Sequence, residues 1–149
     1  MDQDRFSQTL LALYSAVTDP TEWTAAMRAI EDLTGGAGAV LNFVPLDRKD
    51  TGFVIAGRFS EEQCTTYARD HMPHCRRVRT SLVAPDAILY DHAILSEHEM
   101  DRDPVYAWFA RHGLRYFIGS TVGIAGRHSV FQSIQRSPAQ GHVQADDIA

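Results

Sequence analysis

The sequence predicts an α+β domain, an antiparallel sheet with helices packed on it. Three observations carry that prediction. Two pairs of strand-like runs, one near residues 39–56 and one near 115–135, each fold back through a turn. Helical periodicity fills the chain before and between them. No strand–helix–strand alternation with a glycine-rich phosphate loop occurs, which sets nucleotide-binding folds aside.

From Asp4 to Val17, the apolar residues Phe6, Leu10, Leu13, Tyr14 and Val17 recur every three or four positions, one face of an amphipathic helix. Asp19-Pro20 stops it, because proline disfavours a helical residue before it. Thr21 is the expected cap of a second helix with Trp23, Met27, Ile30 and Leu33 on its stripe, ended by Gly35-Gly36. Ala39–Val44 ("AVLNFV") and Thr51–Ala56 ("TGFVIA") predict a hairpin with a long loop. Ser60 with Gln63 three residues on has the spacing of a capping box, opening a helix to about Met72, where Pro73 ends it. Residues 76–83 fit neither period cleanly, and "AILY" at 87–90 predicts a short strand. Ser96 caps a further helical stretch, and Asp103 caps "DPVYAWFARHGL", with proline at its first position and Gly113 as its stop. Arg115–Ile124 and Ser129–Gln135 pair around Gly126. The closing "GHVQADDIA" opens a helix near Gln144 or Ala145; one turn is not stable alone, so the chain is expected to continue or to have been cut as a domain.

The 149 residues suit a single domain over 1–149, enough to bury roughly 70% of the surface the unfolded chain exposes. A net charge of −5 argues against a free-standing nucleic-acid binder. Two cysteines and an acidic, charged N-terminus predict reduced thiols and a cytoplasmic location. No apolar run reaches the ~18 residues of a membrane helix, so no membrane partner is expected.

"HMPHCRRVR" (71–79) concentrates candidate metal ligands and cations. No second Cys/His cluster accompanies His71, His74 and Cys75, and Pro73 interrupts the helix that would align the histidines, so no metal is expected. Arg76, Arg77 and Arg79 read as a solvated face. Glu97, Glu99, Asp101 and Asp103 lack the glycine and closing glutamate of a calcium loop and read as a solvated connection. Cys64, Cys75, Ser120 and Ser133 are candidate nucleophiles, but none lies in a nucleophile elbow. A Cys–His–Asp set assembled in space stays open; no spacing supports it, and the reading is non-enzymatic, without cofactor. Tyr106, Trp108, Phe109, Tyr116 and Phe117 crowd into twelve residues, and Phe43, Tyr67 and Tyr90 extend the set. Aromatic walls with a few polar groups build small-molecule pockets, although large aromatics also fill ordinary cores.

Three stretches, "LLALYSAVTDPTEWTAAMRAIEDLTGGAGAVLNF", "RDPVYAWFARHGLRYFIGSTV" and "FQSIQRSPAQGHVQADDIA", together resemble the N-terminal sensory domain of bacterial LuxR-type helix-turn-helix regulators. The resemblance implies a PAS/GAF-like fold followed by a helix-turn-helix DNA-binding domain, with Asp146-Asp147-Ile148 where the connecting helix begins. The acyl-homoserine-lactone-binding relatives carry a tryptophan four residues before a tyrosine; here Gln63 precedes Tyr67, so no lactone is assigned. The resemblance places His71, His74 and Cys75 at the rim of a pocket. The expected ligand-binding residues are Phe43, Tyr67, His71, His74, Tyr90, Trp108, Phe109 and Tyr116. The reading is a ligand-sensing, homodimerising regulator domain that reaches DNA only through a C-terminal domain beyond residue 149, with the first helix as a candidate dimer surface. The alternative is a stand-alone PAS/GAF-like binding or scaffold module; a third is an enzyme using Cys64 or Cys75.

Overall fold

The structure, a computed structural model, describes residues 2–148. Helix α1 (Gln3–Thr18) opens where the Asp2 carboxylate accepts the Asp4 N–H at 3.1 Å. The cap after it is Asp19 rather than Thr21: Asp19 Oδ1 accepts the Thr21 N–H at 3.0 Å and its hydroxyl at 2.7 Å. Pro20 needs no N–H partner, so a 3-10 turn (Pro20–Glu22) forms there and runs straight into α2 (Trp23–Thr34). Gly35, at φ 68°, takes the left-handed conformation that closes α2.

The expected hairpin forms as β1 (Gly38–Pro45) and β2 (Phe53–Ala56). Both closing strands also form, as β4 (Tyr116–Ala125) and β5 (His128–Arg136), and β3 is the two-residue Leu89–Tyr90. They make one five-stranded antiparallel sheet in the order β2-β1-β5-β4-β3. The central pairing joins the two hairpins, from Gly38 opposite Gln135 to Pro45 opposite His128.

Strand side chains alternate between the two faces. On one face, Ala39, Leu41 and Val130 meet Met27 of α2, with Leu13 of α1 packed against them. Glu31 of α2 is buried and fastens this layer: its carboxylate accepts N–H groups from Ala39 at 2.8 Å and Arg58 at 3.0 Å and pairs with the Arg58 guanidinium at 2.8 Å. A side chain at Gly57 would begin 2.4 Å from that carboxylate, so the approach requires glycine.

Helix α1 forms the outermost layer, on α2. Its buried positions are Thr9 and Ala16, small enough for close approach, and Thr9 Oγ1 lies 3.3 Å from Ala29 O. Most of the apolar stripe therefore faces solvent: Phe6, Leu10, Leu11, Tyr14 and Val17 are exposed, Tyr14 and Val17 each at 71%.

The opposite face of the sheet carries the second helical layer: α3 (Glu61–Thr66), α4 (Arg76–Val83), α5 (Asp91–Ile94), α6 (Glu97–Arg102) and α7 (Pro104–Arg111). Its core includes Met72, Cys75, Val78, Leu95, Met100 and Phe109. The C-terminal segment ends in a 3-10 turn, Ala145–Asp147, tied to β5 by Arg136–Asp147 at 3.2 Å.

Candidate functional site

The capping box at Ser60 and Gln63 forms as its spacing predicts. Its helix does not continue unbroken to Met72. It passes after Thr66 into a π-turn over Tyr67–His71, closed by the Met72 N–H on Tyr67 O, and then into a 3-10 turn holding Pro73. Residues 76–83 are helical as α4, stabilised by burying Arg77, Val78 and Ser81 against the sheet layer. Asp103 caps α7 through the N–H groups of Val105 and Tyr106 and so presents Tyr106 and Phe109 inward.

These helices and the sheet enclose a cavity. Its floor is Val40 and Asn42 of β1 with Phe131, Ser133 and Gln135 of β5; its walls include Tyr67, Trp108, Phe109 and Val78. Gln63, Cys64 and His112 also line it. The cavity contains about 540 Å³ of space between atoms, counting its open side. The aromatic wall is continuous: the Tyr67–Trp108 and Tyr67–Phe109 ring centroids are 5.7 and 5.8 Å apart. Gln63 Oε1 takes the Ser60 N–H at 2.8 Å, which turns its NH₂ towards His112 Nδ1, 3.0 Å away. The capping box thereby orients one polar group of the cavity.

The polar floor is a hydrogen-bonded ladder. Asn42 Nδ2 donates to Phe131 O at 3.1 Å and lies 3.4 Å from Ser133 Oγ. Gln135 Nε2 donates to the same hydroxyl at 2.9 Å, and Gln135 Oε1 accepts from Arg77 Nη1 at 2.9 Å. Arg77 is 3% exposed and Asp91 2%. Their 2.8 Å ion pair is reinforced by the Tyr106 hydroxyl and by the Phe117 N–H, which reaches Asp91 Oδ2 at 2.7 Å. The guanidinium carbon lies 4.3–4.6 Å from the Phe109, Phe117 and Tyr106 ring centroids. Burial opposes the Arg77 charge, but Asp91, Tyr106 and Cys75 together outweigh it, and the guanidinium's pKa is raised above its ordinary value. Burial pushes the Tyr106 hydroxyl up as well.

The reading of Arg76, Arg77 and Arg79 as one solvated face is therefore corrected at Arg77, while Arg76 and Arg79 are exposed. The acidic stretch is not merely solvated either. Glu97 binds Arg115, His92 and Tyr116; Asp101 pairs with Arg115; Glu99 closes a capping box with Ser96; and Asp103 is a cap.

Of the expected ligand-binding residues, Tyr67, Trp108 and Phe109 line the cavity. His71 lies against Trp108 with ring centroids 4.8 Å apart, and His74 is exposed. Phe43 stacks on Phe53 at 4.2 Å, on the α2 side of the sheet. Tyr116 bonds Glu97 and neighbours His92 and His142; Tyr90 sits on β3, paired with Ile118. None of these last five lines the cavity. Strand alternation explains Phe43: it is odd-numbered on β1, so it points opposite to Val40 and Asn42. The cavity residues absent from the expected ligand set include the polar floor, Asn42, Arg77, Ser133 and Gln135, and Gln63, Cys64 and His112 of the wall. A polar residue inside "AVLNFV", and Ser133 and Gln135 two apart on one strand face in "FQSIQ", were the available signals.

Among the described residues, no group of three or more His, Cys, Asp or Glu could hold a metal. Burial, aided by Glu61, pushes the Cys64 thiol up, the reverse of an activated nucleophile. Cys75 is fully buried, and Ser133 faces amides rather than a base. No described helix is long and apolar enough to cross a membrane.

The chain matches no family model and no curated protein. Solved structures with a similar fold include the following two. One is the LBD domain of VqsR from Pseudomonas aeruginosa, at TM-score 0.68 and 14% identity over 96% of this chain and 85% of that one. The other is SdiA in complex with octanoyl-rac-glycerol, at TM-score 0.67 and 13% identity over 99% of this chain. This chain spans 60% of the SdiA chain.

Proposed function

We propose that this chain is the ligand-sensing and dimerising N-terminal domain of a bacterial LuxR-family transcriptional regulator, with a PAS/GAF-like fold. The observation that carries the reading is the cavity between the sheet and its helices, an aromatic wall over a buried polar floor, in a fold shared with a ligand-binding domain and with a glycerolipid complex. A small molecule in that cavity touches β1, β5, α4 and α7 together. A ligand that prefers one arrangement of these elements shifts the population towards it. DNA contact belongs, in this reading, to a helix-turn-helix domain following residue 149, and the exposed stripe of α1 to a second copy of the chain.

The test is a melting-temperature screen of the purified chain against uncharged small molecules. A true ligand raises the melting temperature in a saturable way; at a hundred times its Kd it adds about 2.7 kcal/mol. Cys64→Trp, which narrows the cavity at its wall, should abolish that rise. Stabilisation that survives Cys64→Trp, or none by any compound, would overturn the reading.

A further inference from the structure

We infer that the cavity selects a compact, uncharged aromatic amide: a ring carrying a carbonyl and an N–H side by side. The inference rests on the sensing reading above and narrows it to a ligand class. Four observations lead to it.

The first is an acceptor without a partner. Asn42 is 4% exposed, and its amide orientation is fixed because Phe131 O can only accept, so Nδ2 must face it. Asn42 Oδ1 then receives no hydrogen bond from the described residues, although Asn42 lines the cavity. The second is a pair of free donors on the same hydrogen-bonded ladder. The Ser133 hydroxyl accepts from Asn42 and Gln135, and its own proton has no acceptor among the described residues. Arg77 has five N–H donors, and one on Nη1 is left over after Asp91, Tyr106, Gln135 and Arg115 O are served. Asn42 Oδ1 is not sealed from the cavity space, so a ligand there can donate to it and accept from Ser133 or Arg77. An amide supplies both on adjacent atoms.

Charge is the third observation. Arg77 and Asp91 already cancel within the buried cluster. A carboxylate ligand would leave one uncompensated negative charge in a low-dielectric site, and a cation would leave one positive. The fourth is shape: Tyr67, Trp108 and Phe109 offer the cavity a continuous set of flat aromatic surfaces. A planar ring can stack on such faces over its whole area, which a flexible acyl chain cannot.

The experiment uses Trp23→Phe, which leaves Trp108 as the sole indole, and reads its fluorescence together with the melting temperature. The probes are benzamide, its anionic counterpart benzoate, acetophenone (which lacks the N–H) and octanoyl-rac-glycerol. Benzamide should bind at least tenfold more tightly than benzoate or acetophenone, and Ser133→Ala should weaken it at least fivefold. Equal binding of benzamide and acetophenone, or tighter binding of benzoate, overturns the amide class while the sensing reading stands. So does binding of octanoyl-rac-glycerol alone. Binding of no probe, with no hit in the wider screen, overturns both.

Discussion

Arg77 shows what a single side chain does here. Arg76, Arg77 and Arg79 look alike in the sequence, and only position in space separates them. Arg77's partners Asp91 and Gln135 lie 14 and 58 residues away, so no local pattern announces them. Losing one partner of a buried pair strands the other charge, which costs about 3–5 kcal/mol. Arg77→Met should therefore lose stability on that scale in urea unfolding. Arg77→Met combined with Asp91→Asn should lose less than the sum of the single changes, because the two residues share one interaction. A loss under about 1 kcal/mol for Arg77→Met would show that the cluster does not anchor α4 to the sheet. Glu97 gives the pH counterpart. Burial pushes its carboxyl up, but hydrogen bonds from Arg115, His92 and Tyr116 prevail and hold it at about 2, below the ordinary 4.5. A lowered folded pKa contributes stability above pH 4.5 that is lost as pH falls towards 2. The side chain is 45% exposed, so solvent screening keeps the effect small. Melting temperatures at pH 6, 4.5, 3 and 2 should fall less steeply for Glu97→Gln than for the parent; parallel curves would remove Glu97 from the acid response.

At the scale of elements, legibility followed the range of the forces. The capping box at Ser60, the cap at Ser96, the Asp103-Pro104 helix start and the Gly35 stop are local chemistry, and each formed where the sequence placed it. Residues 76–83 were ambiguous because Val78, Thr80 and Val83 weaken helix propensity. Burial of Arg77 and Val78 decided the matter, and that is a tertiary effect. The π-turn at Tyr67–His71 had no local signal: Pro73 announced an ending, but not the wider turn before it. The sheet order was equally hidden. Each hairpin could be read, but the β1–β5 pairing that builds the cavity floor joins residues about ninety positions apart. The aromatic wall was legible as a cluster of ring types on α7; the polar floor, spread over β1, α4 and β5, was not.

The whole molecule places its apolar residues unevenly, and this bears on assembly. A helix with one apolar stripe ordinarily turns it to the core. Here α1 packs on α2 through Thr9 and Ala16 and leaves Phe6, Leu10, Leu11, Tyr14 and Val17 exposed. A contiguous exposed apolar patch marks an interaction surface. The stripe covers most of a 16-residue helix, roughly 24 Å long, and an antiparallel copy would set Phe6 near Val17 and Leu10 near Tyr14 of its partner. A twofold contact of this kind uses the same patch on both subunits, so one charged residue added to α1 enters the interface twice. Leu10→Lys with Tyr14→Lys should therefore convert a dimer to a monomer in size-exclusion chromatography with light scattering. Both positions are outside the core, so unfolding stability should stay within about 0.5 kcal/mol of the parent. A second exposed apolar group, Leu82, Val83 and Ile88 with Val122 and Ile124, supplies the control. A dimer that survives the α1 changes but is lost with Val83→Lys would move the interface to that group. A parent chain that stays monomeric at high concentration would end the dimer reading for residues 1–149.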